Sequence, residues 1–305
     1  MAVNTALIAV HKELDAKMAP VNGWNMPLFY PGGAVAEHRF CRSECGIFDG
    51  GNRKIWQFNG DIAGLDDKFS TPVSTLNCGM FQDCMLLAEQ GGIKAVYTVC
   101  RMAENDLLAI AAPGCEVPFP GGNDLSGVLS SFTLLGKKAA EVLAAAADTE
   151  IPENGRWQKL TFVDENEEFR AITLSMEKFG EQGFEFIFNA EYAADLYDLF
   201  YRNVTVHPAG LHAYESLRIE SGTPAWGSEW SAGLSAGNYL VTAKLGRHPV
   251  KTGSDICDAA GNVIGKVTGS AFCPSDECAK LIGMTNCHIS AGTVLFIGDI
   301  SATVL

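Results

Sequence analysis

The sequence has few basic residues and no long apolar run. Its 305 residues include 22 Lys and Arg against 36 Asp and Glu, which gives a formal charge of −14 at pH 7. No basic run is longer than two residues, as at Lys137-Lys138. Nucleic acid is therefore not an expected partner, because its phosphates need a basic surface. No uncharged apolar run is long enough to span a bilayer, so a membrane is not an expected partner either.

The N-terminus lacks the features of a secretory signal. Residues 1–10 are apolar, but no basic region precedes them and His11-Lys12-Glu13 ends the run. Without such a signal, the ten cysteines predict buried thiols in a cytoplasmic protein and not a disulfide framework. The cluster from Cys273 to His288 lacks the spacing of a zinc ribbon, so no metal site is predicted.

Other catalytic signatures are also missing. The sequence contains no Gly-rich phosphate loop, nucleophile elbow or haem motif. What is present is the composition of a folded protein, with 47% hydrophobic and 19% charged residues. The length favours two or three domains.

Local patterns indicate a mixture of helices and antiparallel strands. A helix is predicted from about Asn4 to Lys17, then an aromatic loop at 23–33, and then a helix from Ala34 to Cys45 that Gly46 ends as a C′ glycine. Further strands are predicted at 54–58, 85–88, 93–99, 106–112, 131–136, 157–163 and 169–175, with a hairpin turn at Gly91-Gly92 and helices at 137–147, after Asn189 and at 212–220.

One stretch, from Phe179 to Glu185, suggests a binding site. Gly180 and Gly183 bracket Glu181, so the backbone can turn tightly there, and the phenylalanines that follow alternate as on a half-buried strand. A carboxylate held on such a bend accepts two parallel hydrogen bonds, which suits a ligand edge with two neighbouring N–H donors. A hairpin turn with a solvated glutamate is the alternative, and this stretch alone leaves both open.

A second informative stretch runs from residue 210 to 229. A helix from about His212 to Glu220 places Tyr214 and Arg218 on one face, one turn apart. Gly222 ends this helix, and the proline that follows prevents its continuation.

Taken together, these segments resemble the aminomethyltransferase family. That family includes the T-protein of the glycine cleavage system, folate-dependent demethylases and the folate domains of dimethylglycine and sarcosine dehydrogenases. The resemblance runs nearly end to end and is carried by residues 23–33, 37–49, 135–139, 180–185, 216–229, 261–270 and 281–284. It implies an α+β fold in which interleaved antiparallel-sheet subdomains, residues 1–235, surround a central folate site, and a C-terminal β-barrel follows at residues 236–305.

The resemblance also implies a tetrahydrofolate site. Glu181 matches the glutamate that holds the pterin through its ring N–H and exocyclic amine. Trp24, Met26 and Tyr30 of the aromatic loop are expected to help enclose the pterin, and Tyr214 is assigned to the same site.

The sequence departs from the family where the catalytic aspartate is expected. Aligned without a gap after Gly91-Gly92, the family's aspartate pair becomes Ala95 and Val96. An apolar side chain cannot steer a proton or stabilise a developing iminium, so the catalytic residue is unassigned.

Three cations are candidates for the substrate side. Arg53 stands where some demethylase relatives carry an arginine, and a solvated loop arginine is the alternative. Lys94 lies beside the replaced aspartates. Arg218 is kept from the family, although Tyr214-Glu215 replaces the adjacent Arg-Asp pair, and it either faces the substrate or forms a structural ion pair.

The sequence therefore predicts a tetrahydrofolate-dependent one-carbon transferase, an atypical member that acts as a demethylase. Its partner is a small-molecule donor or a carrier protein that delivers the one-carbon unit. One alternative is a conventional glycine-cleavage aminomethyltransferase with a changed catalytic acid. Another is a folate-binding protein without turnover.

Overall fold

The structure, a computed structural model, describes residues 2–89, 92–147, 149–164, 167–231 and 238–305. The predicted domain boundary at 235/236 and Gly91 of the predicted turn lie outside these ranges. Within them, no helix has both the length and the apolar character needed to cross a membrane.

Strands make up most of the secondary structure. They are β1 Val3–Asn4, β2 Lys17–Val21, β3 Trp24–Phe29, β4 Cys45–Asp49, β5 Ile55–Asn59, β6 Phe81–Leu87, β7 Ile93–Ala103, β8 Asp106–Ala111, β9 Asn123–Asp124, β10 Leu129–Leu135, β11 Trp157–Asp164, β12 Glu167–Lys178, β13 Glu181–Asn189, β14 Val206–Pro208, β15 Tyr239–Lys244, β16 Asp255–Cys257, β17 Val263–Cys273, β18 Cys278–Thr285, β19 Val294–Ile297 and β20 Ile300–Val304. The α-helices are α1 Ile8–Glu13, α2 Ala34–Ser43, α3 Ala139–Ala146, α4 Ala193–Tyr201 and α5 Leu211–Ser221, and short 3-10 helices cover Ala63–Lys68 and Ala190–Tyr192.

A six-stranded sheet in the order β11-β12-β13-β10-β4-β14 forms the centre of the molecule. Neighbouring strands are antiparallel except β14, which runs parallel to β4. Alternate side chains point to opposite faces. On one face Phe132, Phe184, Phe186 and Phe188 pack in a core with residues of α3 and α4, which explains the apolar run after Glu181.

The other face packs partly against a five-stranded sheet of order β6-β7-β8-β5-β9. Leu174 and Ile187 of the central sheet share a buried cluster with Ile55, Cys100 and Ile110 of the second sheet. The second sheet has its own core on its far side, which includes the side chains of β7 that alternate with Cys100.

The N-terminal prediction is wrong in two respects. The helix predicted from Asn4 to Lys17 is limited to α1, Ile8–Glu13, because Asp15 takes a left-handed φ of 52° and β2 follows. Most of the predicted aromatic loop is strand β3. Asn22 and Gly23 both take positive φ, as in a type I′ turn, and join β2 to β3 as a hairpin. Pairing with β1 and β2 thus decided the conformation of a stretch rich in turn residues.

Gly46 is not the C′ glycine that the sequence suggests. Helix α2 ends at Ser43, and Gly46 lies inside strand β4. A Cβ at this position would lie 2.4 Å from the Cys41 Sγ atom, so glycine lets the helix pack closely on the strand that follows it.

The C-terminal residues form a closed barrel in the order β15-β18-β17-β16-β19-β20. Its interior is filled by apolar side chains such as Val241, Ile256 and Leu281. Helix α5 packs on its outside, where Ile219 joins a cluster with residues of β17 and β18. The barrel predicted from the resemblance is therefore present.

The prediction of buried thiols holds for most of the cysteines. Seven are buried and Cys257 is partly exposed, but Cys78 and Cys287 are exposed, and all ten are free thiols. Both exposed residues lie outside strands and helices, where burial is less common.

Candidate functional site

The candidate site begins at the hairpin between β12 and β13. Phe179 has a φ of 56° and Gly180 a φ of 78°, so two residues with left-handed backbone make the turn. Glu181 is then the first residue of β13. The carboxylate predicted at a bend at the start of a strand is therefore present. A hydrogen bond of 2.8 Å from Arg42 Nη1 to the carbonyl oxygen of Phe179 fixes the turn.

Glu181 is held from one side by a buried ionic network. Arg42 Nη1 donates to Glu181 Oε1 at 2.9 Å, and Arg42 Nη2 lies 2.7 Å from Glu220 Oε1. His38 Nε2 lies 3.0 Å from Glu220 Oε2, and its Nδ1 lies 2.7 Å from the Ser216 hydroxyl. Across the parts of the chain that the structure describes, no hydrogen bond or ion pair engages Glu181 Oε2, and the side chain is 17% exposed. The carboxylate is thus anchored and still has one oxygen available.

The network shifts the pKa values of two of its groups, Arg42 and Glu220. Burial opposes the charge on Arg42, but Glu181 and Glu220 more than offset it and raise the pKa of the guanidinium. Burial also opposes the charge of Glu220, yet the close approach of the His38 imidazole and the hydrogen bond from Arg42 lower its pKa to about 2. His38 is fully buried and is a packed hydrogen-bonding residue.

The same face of the sheet carries a second carboxylate, Glu185. Lys178 pairs with Glu181 and Leu174 pairs with Glu185, so these side chains share one face. Glu185 lies four residues along β13 from Glu181, roughly 13 Å away by the rise of a strand. It is 2% exposed and forms a short ion pair with Arg53 Nη1.

Arg53 connects this carboxylate to the second sheet. Its Nε donates to the carbonyl oxygen of Ala111 in β8 at 2.8 Å, and its side chain is 10% exposed. The Cys100 thiol of β7 lies within the electrostatic reach of this ion pair. Burial first and then Glu185 raise the pKa of Cys100, so the thiol is neutral. Arg53 is therefore not a solvated loop arginine.

Lys178 places a third charged group in the same region. Its Nζ lies 5.2 Å from the centroid of the Tyr214 ring and 5.8 Å from that of Phe179. Burial disfavours the charged ammonium, but Tyr214 and Glu185 favour it more strongly than the Arg53 charge opposes it. The pKa of Lys178 is therefore raised above its ordinary value.

We call Arg53, Lys178, Glu181, Glu185 and Tyr214 the polar seam. It lies between two apolar clusters on one face of the central sheet. One cluster, with Cys100 and Leu174, joins this face to the second sheet, and the other, with Phe48 and Leu217, joins it to α2 and α5. Charges between apolar walls interact strongly with each other and with a ligand, because little water screens them.

The residues at the position of the family aspartate differ in orientation. Ala95 is fully buried in the core on the far side of the second sheet. Val96 is 7% exposed and alternates to the face that it shares with Cys100. Lys94 is exposed on β7, and among the described residues no contact joins it to the polar seam. Strand β7 thus offers an apolar side chain where the resemblance places an acid.

The residues expected to help enclose the pterin lie on strand β3 or directly after it. Met26 is fully buried in β3, and Trp24 is partly buried at the start of the same strand. The Tyr30 hydroxyl lies 2.9 Å from His11 Nδ1, and His11 Nε2 lies 2.8 Å from Asp49 Oδ2.

This network lies on the wrong face for a folate contact from the Tyr30 hydroxyl. Asp49 pairs with Phe132, whereas the neighbouring Phe48 shares the face of the polar seam and contacts Tyr214. Burial raises the pKa of Tyr30 well above its ordinary range. Tyr30 is therefore a structural residue, because its partner His11 bonds to Asp49, which strand alternation directs to the helical side of the sheet.

Arg218 also has a structural environment. It is 2% exposed and donates from Nε to Glu215 Oε2 at 2.8 Å, and from Nη1 to the Thr223 carbonyl oxygen and to Glu229 Oε2, both at 2.8 Å. The Thr268 hydroxyl of the barrel donates to Glu229 Oε1 at 2.5 Å. Arg218 therefore ties α5 to the barrel, and this corrects its assignment to the substrate side.

Sequence reasoning missed Lys178 and the role of Glu185. Alternation along β13 does place Glu185 on the face of Glu181, so this signal was available. The position of Lys178 could be inferred only from the register of the hairpin, in which Lys178 pairs with Glu181. Among the described residues, no group of three or more His, Cys, Asp or Glu could hold a metal ion.

The fold and the hairpin carboxylate place the protein in a known class. Residues 7–117 and 122–239 match the family described as the GCVT N-terminal domain, and the chain belongs to this family.

Its relatives agree with this assignment. The aminomethyltransferase of Deinococcus deserti is 27% identical over 312 residues, which cover 89% of this chain and 85% of the relative. The aminomethyltransferase of Flavobacterium psychrophilum is 27% identical over 319 residues, covering 89% and 88%. The glycine cleavage system aminomethyltransferase T from Bartonella henselae has a TM-score of 0.89 at 22% identity, covering 100% of this chain and 97% of that one. The predicted family and its T-protein-like α+β fold are confirmed.

Proposed function

We propose that the protein transfers a one-carbon unit from a small donor to tetrahydrofolate, as an atypical member of its family that acts as a demethylase. The observation that carries the proposal is the polar seam, in which an anchored carboxylate, Glu181, keeps one oxygen available. The names of the relatives, aminomethyltransferases that align over most of this chain, are consistent with such a transfer.

The residues present fit the pterin edge of tetrahydrofolate. That edge presents a ring N–H beside an exocyclic amine, and a carboxylate accepts two such parallel hydrogen bonds. Oε2 of Glu181 is free to accept one of them, and Oε1 has a second lone pair for the other beside the one that Arg42 occupies. Arg42 holds Glu181 Oε1 from the protein side at 2.9 Å, which limits the rotation of the carboxylate before a ligand binds. A preorganised acceptor loses less entropy on binding than a mobile one.

The chemistry of the donor side supports a demethylase. Ala95 and Val96 supply no acid, and the neighbouring Cys100 is a neutral thiol. Acceleration would then come mainly from placing the folate nitrogen and the carbon donor together in a water-poor space. A methyl or methylene group on an amine, betaine, ether or thioether suits such a site, with Arg53 and Tyr214 beside it.

The first test is calorimetric titration of the anaerobic protein with tetrahydrofolate. We expect Glu181→Gln to weaken binding by at least tenfold, since the amide can accept only one of the two hydrogen bonds. The matched control is Glu177→Gln, which removes the same charge from an exposed position on the same hairpin. Circular dichroism of each variant checks that the fold is intact.

The outcomes separate the competing functions. Mass analysis of the folate after incubation with candidate donors should detect methyl- or methylene-tetrahydrofolate. Binding without any product would favour a folate-binding protein without turnover, which the apolar Ala95 and Val96 permit. Ammonia release from an aminomethyl-lipoyl carrier would favour the conventional aminomethyltransferase. Unchanged affinity for tetrahydrofolate in Glu181→Gln would refute the role of this residue. Loss of binding in Glu185→Gln alone would indicate that Glu185, and not Glu181, holds the pterin.

A further inference from the structure

The polar seam contains a cation that the proposed function does not explain. Lys178 is partly exposed at the end of β12, and in the described residues no carboxylate oxygen lies within 4.0 Å of its Nζ. We propose that Lys178 is the docking cation for a carboxylate on the one-carbon donor, so that the protein selects acidic donors. This inference rests on the proposed function, because it concerns the same site.

The balance of charge in the seam supports this assignment. Arg53 is compensated by its direct ion pair with Glu185, and Arg42 is shared between Glu181 and Glu220. Among the residues that the structure describes, Lys178 has no direct ionic partner. A buried or half-buried ammonium without a counter-ion is costly, so an anionic ligand that completes the pair gains the interaction with little competition from the protein.

The surroundings of Lys178 hold its charge in place. The rings of Phe179 and Tyr214 lie at 83° to each other with centroids 4.9 Å apart, and the ammonium lies near both. Aromatic faces attract a cation and exclude water from one side of it. The Tyr214 ring is the nearer of the two, with its centroid 5.2 Å from the ammonium nitrogen. Because an ammonium has three N–H donors, donors remain for a carboxylate.

The protonation state agrees with a binding role. The pKa of Lys178 is raised, since the favourable effects of Tyr214 and Glu185 exceed the cost of burial. The group is therefore an ammonium at neutral pH and cannot act as a general base in place of the missing aspartate. Its contribution is a fixed positive charge in a protein whose net charge is −14.

The position of Lys178 indicates the donor and not the folate as the anion. Lys178 is the cross-strand partner of Glu181, which under the proposed function holds the pterin. The carboxylates of tetrahydrofolate lie at the end of the molecule opposite its pterin. A carboxylate beside Lys178 therefore belongs to a second molecule next to the reacting end of the folate.

The test compares an acid with its amide. A methylated amino acid and its primary amide, two probes that differ by one negative charge, are titrated into the tetrahydrofolate complex of the wild type, Lys178→Gln and Lys178→Arg. We expect the wild type and Lys178→Arg to bind the acid at least tenfold more tightly than the amide, and Lys178→Gln to lose this preference. The matched control is Lys159→Gln, an exposed lysine on the adjacent strand β11.

Each outcome bears on one hypothesis. If Lys178→Gln leaves the acid preference intact, or if the wild type binds neither probe or prefers the amide, the inference is overturned. Tetrahydrofolate affinity is measured in the same variants and should stay within twofold. Acid binding that depends on Lys178 without formation of a folate product would uphold the anion site while refuting the transferase function.

Discussion

Arg218 and Glu229 form a joint between α5 and the barrel, and this joint allows one prediction that distinguishes a structural role of Arg218 from a substrate-binding one. Arg218 has two carboxylate partners of very different burial. The Glu229 side chain is fully buried, and the Glu215 side chain is 44% exposed. Replacing each carboxylate in turn therefore compares how much the same guanidinium stabilises the protein through a buried ion pair and through a solvated one.

The expected magnitudes follow from burial. Removing one partner of a buried pair leaves an uncompensated charge, at a cost of about 3–5 kcal/mol, so we expect Arg218→Ala and Glu229→Ala to lower the free energy of unfolding by about that amount. Glu229 also accepts hydrogen bonds from the Ala225 amide and the Thr268 hydroxyl, so its loss disconnects the barrel as well. A surface pair contributes about 0–1 kcal/mol, which is the loss expected for Glu215→Ala.

The assay is urea unfolding followed by both fluorescence and circular dichroism. If Arg218→Ala and Glu229→Ala cost less than about 1 kcal/mol, the joint does not stabilise the protein as argued. If Arg218→Ala keeps full stability but abolishes turnover of the donor, the arginine belongs to the substrate side after all. A double change of Arg218 and Glu229 to Met tests the pair itself, because well-packed apolar replacements often recover the lost stability.

The remaining predictions concern acid stability and strand β7. Glu220 has its pKa lowered to about 2 by His38 and Arg42 despite burial, so its contribution is complete above the ordinary value of 4.5 and is lost as the pH falls towards 2. That pKa shift corresponds to about 3 kcal/mol of stability. Glu220→Gln should therefore flatten the pH dependence of the free energy of unfolding between pH 4.5 and 2. An unchanged slope would contradict the lowered pKa of Glu220. Ala95→Asp should destabilise the protein more than Val96→Asp, because Ala95 faces a sealed core and Val96 faces the side of Arg53. Thermal unfolding at neutral pH measures the stability of both variants. Equal losses of stability would argue against these orientations.

The side chains of His11, Asp49 and Tyr30 form a buried hydrogen-bonded network. All three side chains are nearly inaccessible, and they join the N-terminal helix α1 to β4 and to the chain that follows β3. A polar group buried this deeply is tolerated only with its hydrogen bonds satisfied. The network therefore fixes the N-terminal segment against the central sheet, on the side opposite the polar seam.

Much of the architecture follows from local sequence. Glycine, alternating apolar residues and helix-forming alanines correctly predict the Phe179-Gly180 turn, the alternation of β13, the positions of β5, β7 and β8 in the second sheet, and helix α3. Local patterns mispredict the N-terminus, where Asn22-Gly23, at the start of the predicted loop, forms the turn of a hairpin.

The composition of the candidate site was decided by tertiary structure. The sequence alone determined that Glu181 starts a strand at a tight turn and that no acid stands at Ala95 or Val96. Only the fold brought Arg53 to Glu185, Lys178 to Tyr214 and Arg218 to Glu229. Local periodicity fixes the face on which a side chain lies, but its partner comes from a segment far away in the chain. That choice depends on strand register and on how the sheets and helices pack, which no local pattern contains.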